Sequence, residues 1–270
     1  MCKTFYRFFI VMLIAAMIPG AASAQTPPAQ TGIVIMHGKG GSPKKFVAEL
    51  ASSLEAAGYL VANLEMPWSG ARNYDVSVSD GVKEVENALA MLRSKGAQHV
   101  FVAGHSQGGL FALYLAGKVP MDGVIAIAPG GSVSSNIFRE KLGKYVDQAH
   151  AMIAEGKGEE KTEFFDFESS RGTNPIVTTP DNYISWFDPK GAMNEFNAVS
   201  NVNPDVPVLF IGPTRDYPGL VKIKQKVFDM LPKNPLTKLY EPDSSHLQAP
   251  SASQEEIVRW IDEVLIAKKH

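Results

Sequence analysis

The sequence predicts an α/β fold, a mainly parallel sheet of about six strands flanked by helices and interrupted by one long insertion. Three observations carry that expectation. Short, continuous apolar runs alternate along the chain with segments whose apolar residues step by three and four. A glycine-flanked serine, Gly104-His105-Ser106-Gln107-Gly108, follows one such run directly and opens a helical segment. From about residue 131 to 203 the alternation stops.

The elements follow in order. Lys3 and Arg7, the apolar run Phe8 to Ile18 and the small residues Ala22-Ser23-Ala24 read as a secretory signal peptide over residues 1–24, because the run falls short of the roughly 20 apolar residues of a spanning helix. Residues 25–31 are expected to be a flexible N-terminal segment, and residues 32–270 one domain. Gly32 to Met36 is a strand covered on both faces. Ser42-Pro43 reads as a helix cap and first-turn proline, with Phe46, Val47, Leu50 and Leu54 as the apolar stripe and Gly58 as the stop. Leu60 to Leu64 returns as a strand, and Val82, Val85, Leu89 and Leu92 mark a second helix that ends near Gly96.

Val100 to Ala103 is the strand before Ser106, and Leu110, Leu113, Tyr114 and Leu115 recur at helical spacing after it. Gly123 to Ala128, Val206 to Ile211 and Thr237 to Tyr240 are further strands. Ser253 and Glu256 are spaced as a capping box ahead of Ile257, Trp260, Ile261, Val264 and Leu265. The insertion reads as a cap over the active edge. It is helical from Phe138 to Glu155, then carries a charged, solvated run from Lys157 to Glu163 that leads into Phe164-Phe165-Asp166-Phe167.

Composition narrows the function. Without Lys3 and Arg7 the chain carries 24 basic and 28 acidic residues, a formal charge of −4, so nothing attracts nucleic acid. The one cysteine, Cys2, lies within the expected signal peptide, so the mature chain would hold no disulfide and no cysteine nucleophile. Location in a periplasm or the medium, with no stable membrane anchor after cleavage, is the corresponding expectation. No histidine and carboxylate cluster has ligand spacing, so no metal and no organic cofactor are expected.

The Gly-x-Ser-x-Gly stretch between a strand and a helix is similar to the nucleophile elbow of the α/β-hydrolase superfamily, where a strained turn pushes the serine hydroxyl out of the surface. With almost no room before Gly32, the chain resembles a reduced member lacking the family's first two antiparallel strands. A serine hydroxyl needs an imidazole to take its proton and a carboxylate to hold that imidazole. Elimination selects His246: His37 and His105 belong to motif loops, His99 opens a strand at the wrong end, His150 lies in the cap helix and His270 is the terminus. The family's chain order, serine then acid then histidine, points to Asp216 just after Val208-Leu209-Phe210-Ile211-Gly212, with Asp188 and Asp243 as fallbacks.

The resemblance also places an oxyanion loop at His37-Gly38-Lys39-Gly40-Gly41. It assigns one donor amide to Lys39 or a neighbouring glycine and the other to Gln107. Trp68, after the second strand, and Trp186, in the cap, are candidates for the substrate wall and equally for packing, as are Tyr183 and Phe187; Met193 reads as filler. The expected function is a secreted serine esterase of the carboxylesterase and lysophospholipase type, acting on a small-molecule ester through an acyl-enzyme on Ser106. The same residues admit a thioester, a lactone or a peptide, and a ligand-binding protein on a hydrolase scaffold is the alternative of a different class. Nothing in the sequence fixes the oligomeric state.

Overall fold

The computed structural model describes Met1, residues 28–169 and residues 171–269; beyond Met1, the expected signal peptide lies outside them. Among the described residues no helix is long and apolar enough to cross a membrane.

The chain enters through a 3-10 turn, Pro28–Gln30, whose Gln30 carbonyl accepts from Gln98 N at 2.8 Å. Thr31 is fully buried and already belongs to β1 (Thr31–Met36), one residue ahead of the expected strand start at Gly32. Then come α1 (Ala48–Ala56), β2 (Leu60–Leu64), α2 (Val78–Ser94), β3 (His99–His105), α3 (Gln107–Leu115) and β4 (Gly123–Ile127). The cap contributes α4 (Asn136–Ala154), a hairpin of β5 (Thr162–Glu168) and β6 (Gly172–Thr178), α5 (Pro180–Phe187) and α6 (Glu195–Ser200). The chain closes with β7 (Val208–Ile211), α7 (Pro218–Asp229), β8 (Lys238–Tyr240), α8 (Ala249–Ala252) and α9 (Gln254–Ala267).

The main sheet has six strands in the order β2-β1-β3-β4-β7-β8, every pair parallel. Strands buried on both faces have no polar side to show, which is why β1, β3 and β4 read as unbroken apolar runs. Their side chains divide between two layers. Ile33 and Ile35 join Leu50 and Leu54 of α1 and Ile257, Trp260 and Ile261 of α9, whereas Val34 and Met36 join Val85, Leu89 and Leu92 of α2 together with α3 and the cap. The chain runs outward from β1 to β2 and returns through β3 to the other side, so the crevice between the ends of β1 and β3 is the topological switch point where ligands gather.

Two local expectations are corrected, and one element is added. The first helix starts at Ala48 and not at Ser42-Pro43, because the backbone at Phe46 is left-handed (φ 38) and a helix cannot pass through it. The aromatic run after the charged stretch, for which the sequence predicts no element, is part of strand β5, whose Phe164 and Asp166 point inward. The capping box at Ser253 does not form: Ser253 has no side-chain bond to the helix, and Glu256 turns its carboxylate to Lys238 and Arg259. The Ser253 hydroxyl is buried with no partner, so Ser253→Ala should leave stability within about 0.5 kcal/mol of wild type in a urea melt, whereas a working cap would lose about 1 kcal/mol.

Candidate active site

Ser106 stands between β3 and α3 with φ 56 and ψ −118, a conformation that a non-glycine residue holds only when its surroundings force it. The surroundings are backbone. A side chain at Gly104 would collide with Gly108, and a Cβ at Gly108 would lie 2.6 Å from Met36 O and 2.7 Å from His37 O. Gly108 therefore lets α3 pack directly on the end of β1, Gly104 lets it pack on the end of β3, and the strain this places on Ser106 lifts its side chain out of the sheet. Ser106 N donates to Ile127 O at 2.9 Å, and its carbonyl accepts from Gly130 N and Leu110 N. Its side chain caps nothing.

The loops after β7 and β8 are zipped beyond the strands themselves. Gly212 N donates to Tyr240 O, Thr214 N to Pro242 O and Arg215 N to Ser244 O, and Arg215 pairs with Ser245 as an isolated bridge. This continuation of the sheet brings Asp216 beside His246: Nδ1 of the imidazole lies 2.7 Å from Asp216 Oδ1, with both side chains buried. Tyr217 N donates to the same oxygen at 2.6 Å, and the Tyr217 ring packs 4.5 Å from the imidazole. The fallback acids stand elsewhere. Asp243 faces solvent against Arg215 and Thr214, and Asp188 accepts from Lys190 N in the turn after α5.

His246, Ser106, Tyr217 and the His37 to Ser42 loop line one cavity of about 340 Å³, together with Phe46, Leu247 and, from the cap hairpin, Glu168 and Arg171. The loop after β1 is built for close approach. A Cβ at Gly38 would sit 3.0 Å from Ser106 Cβ. Gly40 N is taken by Trp68 O and Gly41 N by Gly38 O, whereas the amides of Gly38 and Lys39 have no hydrogen-bond acceptor among the described residues. Gln107 N opens α3 and has no intrahelical acceptor.

Two further histidines brace the site. His105 Nε2 donates to the His246 carbonyl at 2.9 Å, while its Nδ1 has no partner. Burial, with His246 close by, pushes His105 down to about 3, so it is a neutral strut between the elbow and the His246 loop. His37 accepts from Met66 N through Nε2 and donates from Nδ1 to Gly38 O, and its burial lowers its proton affinity as well.

Trp68 and Trp186 do not face the cavity. Both are buried and pack edge to face, 5.5 Å between centroids, with Trp68 Nε1 donating to His37 O and Trp186 Nε1 to Val76 O. Tyr183, Phe187 and Met193 are also buried, so these side chains seat the cap on the sheet. Sequence reasoning missed Phe46, Tyr217 and Leu247 as wall residues, and it missed Asp166 and Arg171. The lone acid in Phe164-Phe165-Asp166-Phe167 was the available signal, since strand alternation puts it on the buried side with Phe164.

The switch-point crevice, strained serine and paired His246 and Asp216 on a parallel sheet are the architecture of an α/β-hydrolase. A family model for serine aminopeptidases of family S33 matches residues 27–163, just over half of the chain, and the chain belongs to that family. Three solved structures share the fold. A metagenome-derived lipolytic enzyme from work on LipS and LipT is 18% identical over 94% of this chain and 99% of its own, with a TM-score of 0.58. The monoacylglycerol lipase of Paleococcus ferrophilus is 20% identical over 89% and 95%, also at 0.58. The α/β-hydrolase GrgF from Penicillium sp. sh18 is 16% identical over 88% and 91%, at 0.65. No curated protein matches the chain.

Behind Asp216 lies Glu195, 2% exposed, in a small recess that Leu220, Val221, Val227 and Lys224 also line. Burial raises its carboxyl from 4.5 to about 7. The folded state then holds a proton that the unfolded chain has released between those values, so the fold loses stability as pH rises from about 4.5 to 7. Relative to Glu195→Gln, the wild type should lose on the order of 3 kcal/mol between pH 4 and pH 8 in denaturant melts, and a difference that does not change with pH would contradict this assignment.

Proposed function

We propose that this chain is an exported serine hydrolase that cleaves a compact carboxylic ester through an acyl-enzyme on Ser106. The observation that carries the reading is the 2.7 Å contact of His246 Nδ1 with Asp216, made by a histidine that lines the same cavity as the strained Ser106. Asp216 holds the imidazole with its Nδ1–H engaged, which leaves Nε2 as the base. His246 Nε2 takes the Ser106 hydroxyl proton as Oγ attacks the ester carbonyl. The carbonyl oxygen becomes an oxyanion between the amides of Lys39 and Gln107. Collapse expels the alcohol, which receives the proton from His246. Water then attacks the acyl-enzyme, its proton passing to Nε2 and back to Ser106 as the carboxylic acid leaves.

The wall composition supports a small substrate with an apolar part. A volume of about 340 Å³ lies at the lower end of small-ligand sites, and Phe46, Tyr217 and Leu247 offer apolar surface at the opening. Phe46 is half exposed on a left-handed backbone, an expensive way to hold an aromatic in water unless something covers it. A peptide with a free amino terminus is the second reading, favoured by the family's name. Against it, Glu168 is the carboxylate on the cavity wall and is already paired with Arg171. Export rests on the basic, apolar and small-residue order of residues 1–24.

Nitrophenyl esters from acetate to palmitate, run beside aminoacyl nitroanilides, test the reading. Short esters should be turned over fastest, and Ser106→Ala or His246→Ala should each reduce kcat by about 10⁴-fold or more. Asp216→Asn should lose about 10²- to 10⁴-fold, while Asp243→Asn should stay within about twofold of wild type. Turnover confined to nitroanilides would favour the peptidase, and binding without turnover a ligand-binding protein.

A further inference from the structure

Between the oxyanion loop and the cap hairpin lies a buried polar network for which the triad has no use. Lys39 Nζ donates to Asp166 Oδ1 at 2.6 Å and to Phe167 O at 3.1 Å, with the side chains of Lys39 and Asp166 only 10% and 9% exposed. The other Asp166 oxygen accepts from Tyr74 OH at 2.8 Å, and that hydroxyl stands 3.3 Å from Oε1 of Gln107, the residue after Ser106. Phe138 and Phe187 place their rings 5.8 Å from the same ammonium. A second grip comes from Arg171, at the start of the returning strand, whose guanidinium donates to Lys39 O at 2.9 Å. Gly40 makes room for it: a Cβ there would lie 2.5 Å from that guanidinium, on a backbone already left-handed at φ 59.

We propose that Asp166 and Arg171 are positioning residues for the oxyanion hole, so that the cap hairpin sets the aim of the Lys39 amide. The proposal rests on the reading of Ser106 as nucleophile. Lys39 is held at three points: its ammonium by Asp166, its carbonyl by Arg171, and the following amide by Trp68 O. An oxyanion donor acts only when it is already aimed at the place where charge develops, and a flexible glycine loop of the form Gly38-Lys39-Gly40-Gly41 does not hold an aim by itself. The carboxylate also matters as a charge, since removing it leaves the Lys39 ammonium enclosed without a counter-ion. The same carboxylate fixes the Tyr74 hydroxyl, which packs beside the Gln107 side chain, so the network borders both proposed donor residues.

The test measures kcat, KM and the affinity of an alkyl boronic acid, which mimics the tetrahedral intermediate, in wild type, Asp166→Asn, Arg171→Ala and Ser106→Ala. Asp166→Asn should lower kcat by about 10- to 100-fold and weaken the boronate by a similar factor, while KM moves less than threefold. Arg171→Ala, at a half-exposed position that the fold can spare, should lower both by about 3- to 10-fold. A brace for the cap alone would lower the melting temperature and leave kcat and boronate affinity at wild-type values; that result in Arg171→Ala, and in Asp166→Asn if it folds, overturns the proposal. Wild-type turnover that survives in Ser106→Ala overturns instead the serine-hydrolase reading, and this inference with it.

Discussion

The structure depends on one close approach of backbone to backbone, the packing of the first turn of α3 on the end of β1 at Gly108 and on the end of β3 at Gly104. No side chain fits between them, and the turn that connects β3 to α3 is so tight that Ser106 is held at φ 56. Several features follow from this contact. The serine projects at the switch point of the sheet, the amide of Gln107 is left free at the helix start, and the loop after β1 is pressed against the serine itself, with Gly38 within reach of Ser106 Cβ. The exposed serine and the free amides beside it are in this way a consequence of where elements of the core meet.

The second half of the site is built by a different device. Asp216 and His246 sit in separate loops, 30 positions apart, and they meet because the hydrogen bonding between β7 and β8 continues past the strands through Thr214, Arg215 and Ser244. His105 then ties the His246 carbonyl back to the residue preceding the serine. The two halves are therefore joined at the backbone as well as across the cavity. Because burial keeps His105 neutral, that strut does not change with pH over the working range.

Much of this was legible in the sequence because burial on both faces leaves a plain trace. β1, β3 and β4 are continuous apolar runs, the elbow glycines are at fixed offsets, and the acid and histidine lie in loops whose order along the chain restricts the choice. Other features were illegible for physical reasons. The start of α1 depends on the left-handed Phe46, which no propensity foretells, and Ser253 has cap chemistry in a place where its hydroxyl is buried instead. Trp68 and Trp186 occupy the right edge of the sheet, yet they turn into the cap interface, a matter of tertiary packing. The pairing of Lys39 with Asp166 joins positions 127 residues apart, and a charged pair across that distance leaves no local pattern.

The most direct test of the central claim is mass spectrometry of the folded protein after exposure to a fluorophosphonate, which traps an activated serine covalently. One phosphonyl adduct per chain is expected, on the peptide that contains Ser106, and it should be lost when His246 is replaced by alanine. A folded protein that takes up no adduct, or takes it up at another residue, would contradict the account.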